Sequence, residues 1–435
     1  MSLGPSRCFR AVLFLLLIAT SISSLAQQVA PRQRILQSVD NTRLTRLPGN
    51  THPLARAEFD RGRAPDSLPA ERMLLLLSRA PEQETALAQF LEDQQNSTSP
   101  NYRRWLTPEE FGQKFGPADA DVQTITAWLQ TQGFRVNRVA QSKNLIEFSG
   151  TSAQVRNSFR TELHKYVVDG KEYWANATDP QIPSALTPVV KGFVALNNFP
   201  IKPQHRDFGV FKRDADGTVR PELTVSDGTT NYYALGPADF ATIYKTSSLI
   251  SAGTNGTGQT IALIGETKIN LQDVTDFRTF FGLSGGSASV VLDGTDPGIV
   301  PGAEAEALLD VQWAGAVAPA ADVKLVSAQS TATTGGIFLA ANYAIQQNLA
   351  SVISLSYGNC EINLGTGGNQ FMQAMWQQAA AQGITVIVST GDEGSASCDY
   401  HGFSDIASNG LSVNGFASTP YNVAVGGTDF DDANA

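Results

Sequence analysis

Residues 259–266, QTIALIGE, and residues 383–392, GITVIVSTGD, belong to a series of apolar runs in the second half of the chain. The others are ASVVLD at 288–293, DVKLVSA at 322–328, SVISLSYG at 351–358 and YNVAVGG at 421–427. Continuous apolar strands are typical of a sheet that is covered on both faces. Helical segments separate them, at 271–281, 303–316, 335–347 and 370–382. The alternation predicts an α/β fold with a parallel sheet and helices on both faces.

Two of these runs end in an acidic residue. Glu266 ends QTIALIGE and Asp392 ends GITVIVSTGD. Sites in open parallel sheets form at the carboxyl ends of the strands, so we expect both acids at the functional edge. A carboxyl group at the Gly-flanked turn of Asp392, if protonated, can donate a hydrogen bond to a developing oxyanion. The alternative for Asp392 is a loop-capping side chain.

A second pair of acids lies in GAEAEALLDVQWAGAVAP, residues 302–319, which otherwise reads as an almost wholly apolar helix. Glu306 and Asp310 are four residues apart and therefore share one helix face, whereas Glu304 points elsewhere. Two acids on a buried helix raise each other's proton affinity and can share a proton. The pair is a candidate acid–base device for low pH; a solvated face or a calcium ligand pair are the alternatives.

The N-terminus predicts export. Arg7 and Arg10 precede the apolar run 11–19, and small residues at 24–26 suit cleavage, so residues 1–26 are interpreted as a signal peptide of a secreted protein. The run is too short to span a membrane comfortably.

Apart from Cys8 in this segment, the chain has Cys360 and Cys398, which in an exported protein most simply form one disulfide. Two free thiols are the alternative.

Charge is distributed unevenly along the 435 residues, which suffice for two or three domains. From residue 230 onward there are four Lys and Arg against 18 Asp and Glu, whereas residues 1–229 hold 27 and 23. A mildly basic first half and a strongly acidic second half attract each other near neutral pH, and this attraction fades as carboxylates become protonated. The scattered basic residues do not form a pattern typical of nucleic-acid binding.

The first half predicts a compact α+β domain over residues 71–200. MLLLLSR at 73–79 reads as a strand, and ETALAQFLEDQQN at 84–96 reads as an amphipathic helix. Thr107 is the expected N-cap of a further helix, residues 119–132 are helical, and 134–150 form a hairpin. Residues 27–70 are polar without a clear period. Residues 201–230, rich in charge, Gly and Pro, are interpreted as an exposed linker before a domain at 231–435.

Several motifs occur together in one order. The second half contains the Glu306–Asp310 helix, SLSYGNCE at 354–361, STGDEGS at 389–395 and YNVAVGGT at 421–428. The first half contains WLTPEEFGQKFGP at 105–117, FSGTSAQVRNSFRTELHKY at 148–166 and IPSALTPVVKGFVALNNF at 182–199. From about residue 70 to 435 the chain closely resembles the sedolisin, or kumamolisin-like, family of secreted acid serine peptidases, with its activation domain first.

The resemblance implies a subtilisin-like fold, a ferredoxin-like activation domain and a Ser-Glu-Asp triad. Glu306 would be the general base for the serine, and Asp310 would orient Glu306 and share its proton. Asp392 would be the oxyanion donor, and Glu266 would extend the carboxylate network. Tyr357 stands where members often carry Trp, so its part in the network is left open.

An acid optimum agrees with this set. A carboxylate base still functions at about pH 3–5, where a histidine is already protonated. His401 is the one histidine after residue 230, and it is interpreted as a loop residue.

The family's nucleophile lies in a Ser-Gly-Thr-Ser motif downstream of the strand matched by YNVAVGG, and the chain stops at Ala435. We therefore expect the nucleophile and the family's Ca²⁺ site to lie beyond the printed sequence. Ser149–Ser152 matches the motif by letters, but it precedes a helix in the first domain and is better explained as an N-cap. Gly426–Asp429 carries Asp where Ser would be needed.

The expected function is thus the precursor of a secreted acid serine endopeptidase, inactive as printed because it is truncated. Its partners would be peptide substrates and its own N-terminal domain, an inhibitor released by acid and by cleavage of the linker. We expect a monomer with no nucleic-acid or membrane partner. The alternative is a secreted non-catalytic binding module or pseudoenzyme. A glycosidase with Glu306 and Asp310 is disfavoured, because acids on adjacent helical turns are cramped for flanking a sugar.

Overall fold

The computed structural model describes residues 30–203, 223–226, 231–399 and 406–428. The expected signal peptide, most of the linker and His401 lie outside these residues. Within the described ranges, no helix combines the length and apolar character that a membrane crossing needs.

The first domain is built on a four-stranded antiparallel sheet in the order β4-β5-β3-β9. Its elements in chain order are β1 (Leu44–Arg46), β2 (Asp60–Arg63), β3 (Pro69–Leu77), α1 (Pro81–Gln95), α2 (Pro108–Phe115), α3 (Asp119–Thr131), β4 (Arg135–Val139), β5 (Leu145–Thr151), α4 (Ser152–Phe159), β6 (Leu163–Val168), β7 (Lys171–Asn176), β8 (Gln181–Pro183) and β9 (Val190–Phe193). Two smaller antiparallel sheets, β2-β6-β7 and β1-β8, complete it. The strand, helices and hairpin expected from the sequence are all present.

Local capping explains where two of these helices begin. The Thr107 side chain accepts a hydrogen bond from the Glu110 amide, and the Glu110 carboxylate accepts one from the Thr107 amide. Thr151 caps α4 in the same way with Gln154. The Ser-Gly-Thr-Ser letters at 149–152 are therefore a helix start. Helix α4 ends at Phe159 because Arg160 adopts the left-handed conformation.

Residues 27–70, which showed no period, contribute two strands to the first domain. β1 pairs with β8 and β2 pairs with β6, both antiparallel. Each strand has only three or four residues, mostly exposed, so no alternation of apolar and polar side chains marks them.

The second domain contains a six-stranded sheet in the order β14-β15-β13-β16-β18-β19, with every neighbouring pair parallel. Short strands precede it: β10 (Lys202–Pro203), β11 (Leu223–Ser226) and β12 (Asn231–Ala234). Then follow α5 (Pro237–Ile243), α6 (Ser247–Ser251), β13 (Thr260–Gly265), α7 (Leu271–Phe280), β14 (Ser287–Leu292), α8 (Glu304–Val317), β15 (Asp322–Ser327), α9 (Gly336–Gln346), β16 (Val352–Leu355), β17 (Tyr357–Gly358), α10 (Glu361–Ala381), β18 (Thr385–Ser389) and β19 (Val423–Val425). The fold is the expected α/β class with a subtilisin-like parallel sheet.

Helices cover both faces of the sheet. Along β13, Ala262 and Ile264 pack into one core with α9 and α10, while Leu263 packs on the other face with α7 and α8. This is the two-residue alternation of a strand that is buried on both sides.

The two domains share one hydrophobic core. Leu74 and Leu76 of β3 belong to the same buried cluster as Phe338 of α9 and Trp376 of α10. The helices α9 and α10 therefore lie between the sheet of the first domain and the parallel sheet of the second. Because α9 is apolar on nearly all sides, it must be covered on both of its faces, one towards each sheet.

Candidate active site

The parallel sheet brings the sequence-predicted acids to one edge. Glu266 follows β13, Tyr357 follows the adjacent strand β16, and Asp392 follows β18, which pairs with β16 on its other side. Parallel strands end at the same edge, so these three positions lie along one rim of the sheet. Helix α8 adds Glu306 and Asp310.

The two acids of α8 differ in burial. Glu306 is 1% exposed, whereas Asp310 is partly exposed. The Ser356 hydroxyl donates a hydrogen bond of 2.7 Å to Oδ1 of Asp310. Ser356 lies directly after β16, so this bond fixes one oxygen of Asp310 at the carboxyl edge of the sheet.

Tyr357 marks the point where three carboxylates converge. Its side chain is fully buried, and its hydroxyl has no hydrogen-bond partner among the described residues. Burial raises the pKa of Tyr357, and the negative charges of Glu266, Glu306 and Asp310 raise it further. All three acids are thus near enough to the phenol for their charges to oppose its ionisation.

Glu266 is held by a serine from the loop after β15. The Ser330 hydroxyl donates a hydrogen bond of 2.8 Å to Oε2 of Glu266, and the Gly336 amide donates one of 2.8 Å to Ser330. Burial raises the pKa of Glu266, and the Ser330 bond counteracts only part of this. Glu266 therefore takes up a proton at a higher pH than an ordinary glutamic acid.

Asp392 occupies the turn that follows β18. Its side chain is exposed, unlike that of Glu306. A disulfide joins Cys360, the residue before α10, to Cys398, with 5.2 Å between the Cα atoms. The bond ties the segment after Tyr357 to the loop that begins with Asp392.

Sequence reasoning missed the two serines that bind the acids. Ser356 is part of SLSYG and directly follows a buried strand, which was the available signal. Ser330 comes after β15 in a polar loop, SAQSTATT, where nothing distinguishes it from its neighbours.

An ion-pair cluster from the first domain covers the rim next to β14. Arg72 and Arg138 both bind Asp293, the residue after β14, at 2.7 and 3.0 Å. Glu147 of β5 binds the same two guanidinium groups at 2.9 and 2.8 Å. Burial alone would raise the pKa of Glu147, but the hydrogen bond from Arg72 and the two positive charges outweigh it and lower the pKa. We call Arg72, Arg138, Glu147 and Asp293 the rim cluster.

A backbone contact brings the chain after the first domain onto the site. Strand β10 pairs antiparallel with β17, so that Lys202 lies opposite Gly358 and Pro203 lies opposite Tyr357. Ile201, just before β10, is buried in the core shared by the two domains. An extended segment thus lies against the residue at which the three carboxylates converge.

Among the described ranges, no three or more His, Cys, Asp or Glu side chains are grouped so that they could hold an ion.

Two family profiles match the chain. The Pro-kumamolisin activation domain matches residues 59–199, and the subtilase family matches residues 288–434. Sedolisin from Pseudomonas sp. is 31% identical over 79% of this chain and 58% of its own length. Xanthomonalisin from Xanthomonas sp. is 30% identical over 79% of this chain and 44% of its own length.

More distant relatives include kumamolisin from Bacillus sp., 27% identical over 77% of this chain and 58% of its own length. A solved structure of Pseudomonas sedolisin with two molecules of pseudo-iodotyrostatin is 29% identical over 46% of this chain and 55% of that chain, with a TM-score of 0.37. The chain spans about half the length of the curated relatives it matches. With an activation domain followed by a subtilase-fold domain, it belongs to the sedolisin family.

Proposed function

We propose that this chain is the precursor of an acid-acting serine-carboxyl endopeptidase. The observation that carries the proposal is the convergence of Glu266, Glu306 and Asp310 on Tyr357 at the carboxyl edge of the parallel sheet. A group of acids at this edge, one of them almost fully buried, is suited to proton transfer at low pH.

In this mechanism Glu306 is the general base that takes the proton of the attacking serine hydroxyl. Asp310, held through Oδ1 by Ser356, shares a proton with Glu306 and keeps it oriented. A carboxylate base still accepts protons at about pH 3–5, which a histidine cannot do. The attacking serine itself is assigned to no residue of the printed sequence.

Two further acids complete the proposal. A protonated Asp392 would donate a hydrogen bond to the oxyanion of the tetrahedral intermediate, a contact typically worth about 10²–10³-fold in kcat. Glu266, whose pKa is raised by burial, would supply a protonated neighbour that limits negative charge around Glu306. Both roles favour an acidic working pH.

The first domain would inhibit the site until it is released. The rim cluster and the β10–β17 pairing together cover the edge at which a substrate must enter. A polypeptide substrate would add to β17 as an extended strand, which is a general mode of peptide recognition. Cleavage within residues 201–230 and acidification would then expose the site. The disulfide supports secretion, because such bonds persist in oxidising compartments.

The test compares two neighbouring acids of α8 in the complete gene product. Glu306→Gln is expected to lower kcat/KM on a quenched peptide by about 10²–10⁴-fold at pH 3–5, the usual range for a general base. Glu304→Gln lies on the same helix but outside the pair and is the matched control. It should change kcat/KM by less than about twofold. Unchanged hydrolysis by Glu306→Gln would overturn the mechanism.

The same assay separates the neighbouring functions. Some relatives are tripeptidyl-peptidases by name, so mass spectrometry of the products distinguishes internal cleavage from removal of N-terminal tripeptides. A complete gene product that binds peptides but shows no turnover at any pH from 3 to 7 would instead be a binding module or pseudoenzyme.

A further inference from the structure

His52 is a buried histidine, and only one of its two ring nitrogens has a hydrogen-bond partner among the described residues. The ring is 6% exposed and stacks on Phe199, with 4.4 Å between the ring centroids. Nδ1 accepts a hydrogen bond of 3.1 Å from the Leu54 amide. Nε2 is buried and has no hydrogen-bond partner among the described residues. Because Nδ1 accepts, the neutral ring carries its proton on Nε2, and a second proton would have to bind Nδ1, where it would displace the Leu54 hydrogen bond and leave a charge in an apolar setting.

The loop that carries His52 is seated on the second domain. The Thr366 amide in α10 donates a hydrogen bond of 2.9 Å to the carbonyl oxygen of Gly49. Helix α10 is interrupted there by Gly365, which has a φ of 63°. A Cβ atom at Gly367 would collide with the carbonyl oxygen of Phe193. The glycines of α10 thus allow the backbone of the first domain to approach, and residues 49–52 lie within the contact between the domains.

The charged groups near this loop are engaged elsewhere. Asp179 accepts hydrogen bonds from the Asn50 amide and the Thr51 hydroxyl, both at 2.9 Å, and pairs with Arg46 at 2.8 Å. In the segment after the loop, the exposed side chains of Arg56 and Glu58 pair with each other.

The remaining neighbours of the ring carry no charge. From the β6–β7 side come the phenols of Tyr166 and Tyr173, which lie against Phe199 and whose pKa values burial raises, so both stay neutral. Helix α10 lines the small cavity beside the loop with Asn363, Leu364, Gly365 and Gly367. No carboxylate compensates a charge on His52, and burial is the one cause that lowers its pKa, to about 3.

We propose that His52 is an acid-operated release for the activation domain, which loosens the seat of residues 49–52 on α10 when the ring becomes protonated. The inference rests on the proposed role of the first domain as an inhibitor that leaves the site in acid. It adds the group that senses the acid.

The sign of the effect follows from the two pKa values. An exposed histidine has a pKa near 6.5, and the seated ring has one of about 3. Between these values the released state holds one more proton than the seated state. The contribution of His52 to the stability of the seated state is therefore complete above about pH 6.5. Below that pH, the equilibrium constant that favours the seated over the released state falls by about tenfold per pH unit, down to about pH 3. The rim cluster, with its lowered Glu147 pKa, responds only below the ordinary value of 4.5.

Hydrogen exchange of the Thr366 amide reports this seat directly, because that amide binds Gly49. In the full chain, after correction for intrinsic exchange, protection should fall by about 50-fold between pH 6.5 and 4.5. In His52→Asn the fall should shrink to within about threefold. The asparagine oxygen retains an acceptor for the Leu54 amide, as Asn does in turns. The proposal is overturned if His52→Asn loses protection as steeply as the parent.

His164→Asn is the matched control. His164 also lies in the first domain, but both ring nitrogens face carboxylates, Asp60 at 2.8 Å and Glu162 at 3.3 Å. Its removal should leave the pH dependence at Thr366 as in the parent, and a flattened dependence in this variant would contradict the assignment to His52.

A titration covers the case in which His52→Asn does not fold. With ¹⁵N-labelled histidine, the His52 ring of the parent should remain neutral at pH 4.5, and a midpoint near 6.5 would overturn the proposal. Neither measurement uses peptidase activity. An inactive protein that still shows the His52-dependent loss of protection would refute the proposed function and leave this inference standing.

Discussion

Two of the contacts between the first domain and the second have opposite chemistry. At the sheet edge, the rim cluster joins the domains by buried ion pairs. On the helix face, Leu74 and Leu76 pack into the core around α9 and α10, next to a network of neutral amides. Apolar and amide contacts keep their strength as pH falls, whereas carboxylate pairs lose theirs. The apolar and amide part of the helix face is therefore expected to keep its strength in acid, whereas the rim, like the proposed His52 seat, is expected to weaken.

The amide network is unusually complete. The Gln346 side chain donates to the Ser142 hydroxyl at 2.9 Å and to Gln378 at 3.0 Å, and accepts from the Ser142 amide at 3.2 Å. Gln378 donates in turn to Gln382 at 2.7 Å. Buried polar networks of this kind are stable when every member is satisfied, and they specify a single register between the two surfaces.

The largest effect is expected at the rim. Asp293→Asn removes the carboxylate shared by Arg72 and Arg138, and loss of one partner of a buried ion pair typically costs about 3–5 kcal/mol. Urea unfolding at pH 7 should show this loss. At pH 3 the difference should shrink, because the lowered pKa of Glu147 means that the cluster's stabilisation is full above about 4.5 and is lost as pH falls below it.

Asp296→Asn is the control for that experiment. Asp296 pairs with Lys268 at 2.9 Å, and both side chains are at least 40% exposed. Surface pairs contribute about 0–1 kcal/mol, so this variant should scarcely move the urea midpoint. If Asp293→Asn lowers the free energy of unfolding equally at pH 7 and pH 3, the rim does not differ from the helix face in its response to pH.

The next effect is expected on the helix face. Leu74→Ala truncates a fully buried side chain of the shared core and should cost about 2–5 kcal/mol, by the same amount at pH 7 and pH 3. Leu75→Ala is the matched comparison, because Leu75 points into the first domain's own core. Hydrogen exchange should show α9 and α10 loosened by the first change and the first domain itself loosened by the second. A strong pH dependence for Leu74→Ala would count against the division proposed here.

The smallest effect is expected in the amide network. Gln346→Leu leaves the backbone amide of Ser142 without its acceptor and Oε1 of Gln378 without its donor, which costs about 1–3 kcal/mol. The loss should again be equal at both pH values. Gln89→Leu, on an exposed face of α1, should change the urea midpoint by less than about 0.5 kcal/mol. A neutral Gln346→Leu would show that the network does not specify the interface.

The sequence predicted the parts of the fold that depend on local pattern. Apolar runs marked the parallel strands, and their ends marked Glu266 and Asp392. The strand order was beyond reach, because which strands become neighbours depends on crossovers that leave no local pattern. The spacing of Glu306 and Asp310 identified the pair, but the hydroxyls of Ser330 and Ser356 that hold the carboxylates emerged only from the structure.

The rim cluster could not have been predicted either. Arg72 and Asp293 are separated by 221 positions, and the sequence shows only a first half that is basic and a second half that is acidic. The pairing also depends on Arg72 adopting a positive φ of 54° at an irregularity in β3. Residues other than Gly rarely adopt this conformation, and sequence patterns do not announce it.

Gly367, in the kink of α10, is constrained by the first domain rather than by its own helix. The three atoms nearest to a Cβ at position 367 all belong to the first domain: two in the carbonyl group of Phe193 and one in the side chain of Asn50. In a relative without the first domain, alanine or a larger residue would fit at this position. These residues have a higher helix propensity than glycine. The amino acid at position 367 is therefore expected to differ between relatives that retain the first domain and relatives that lack it.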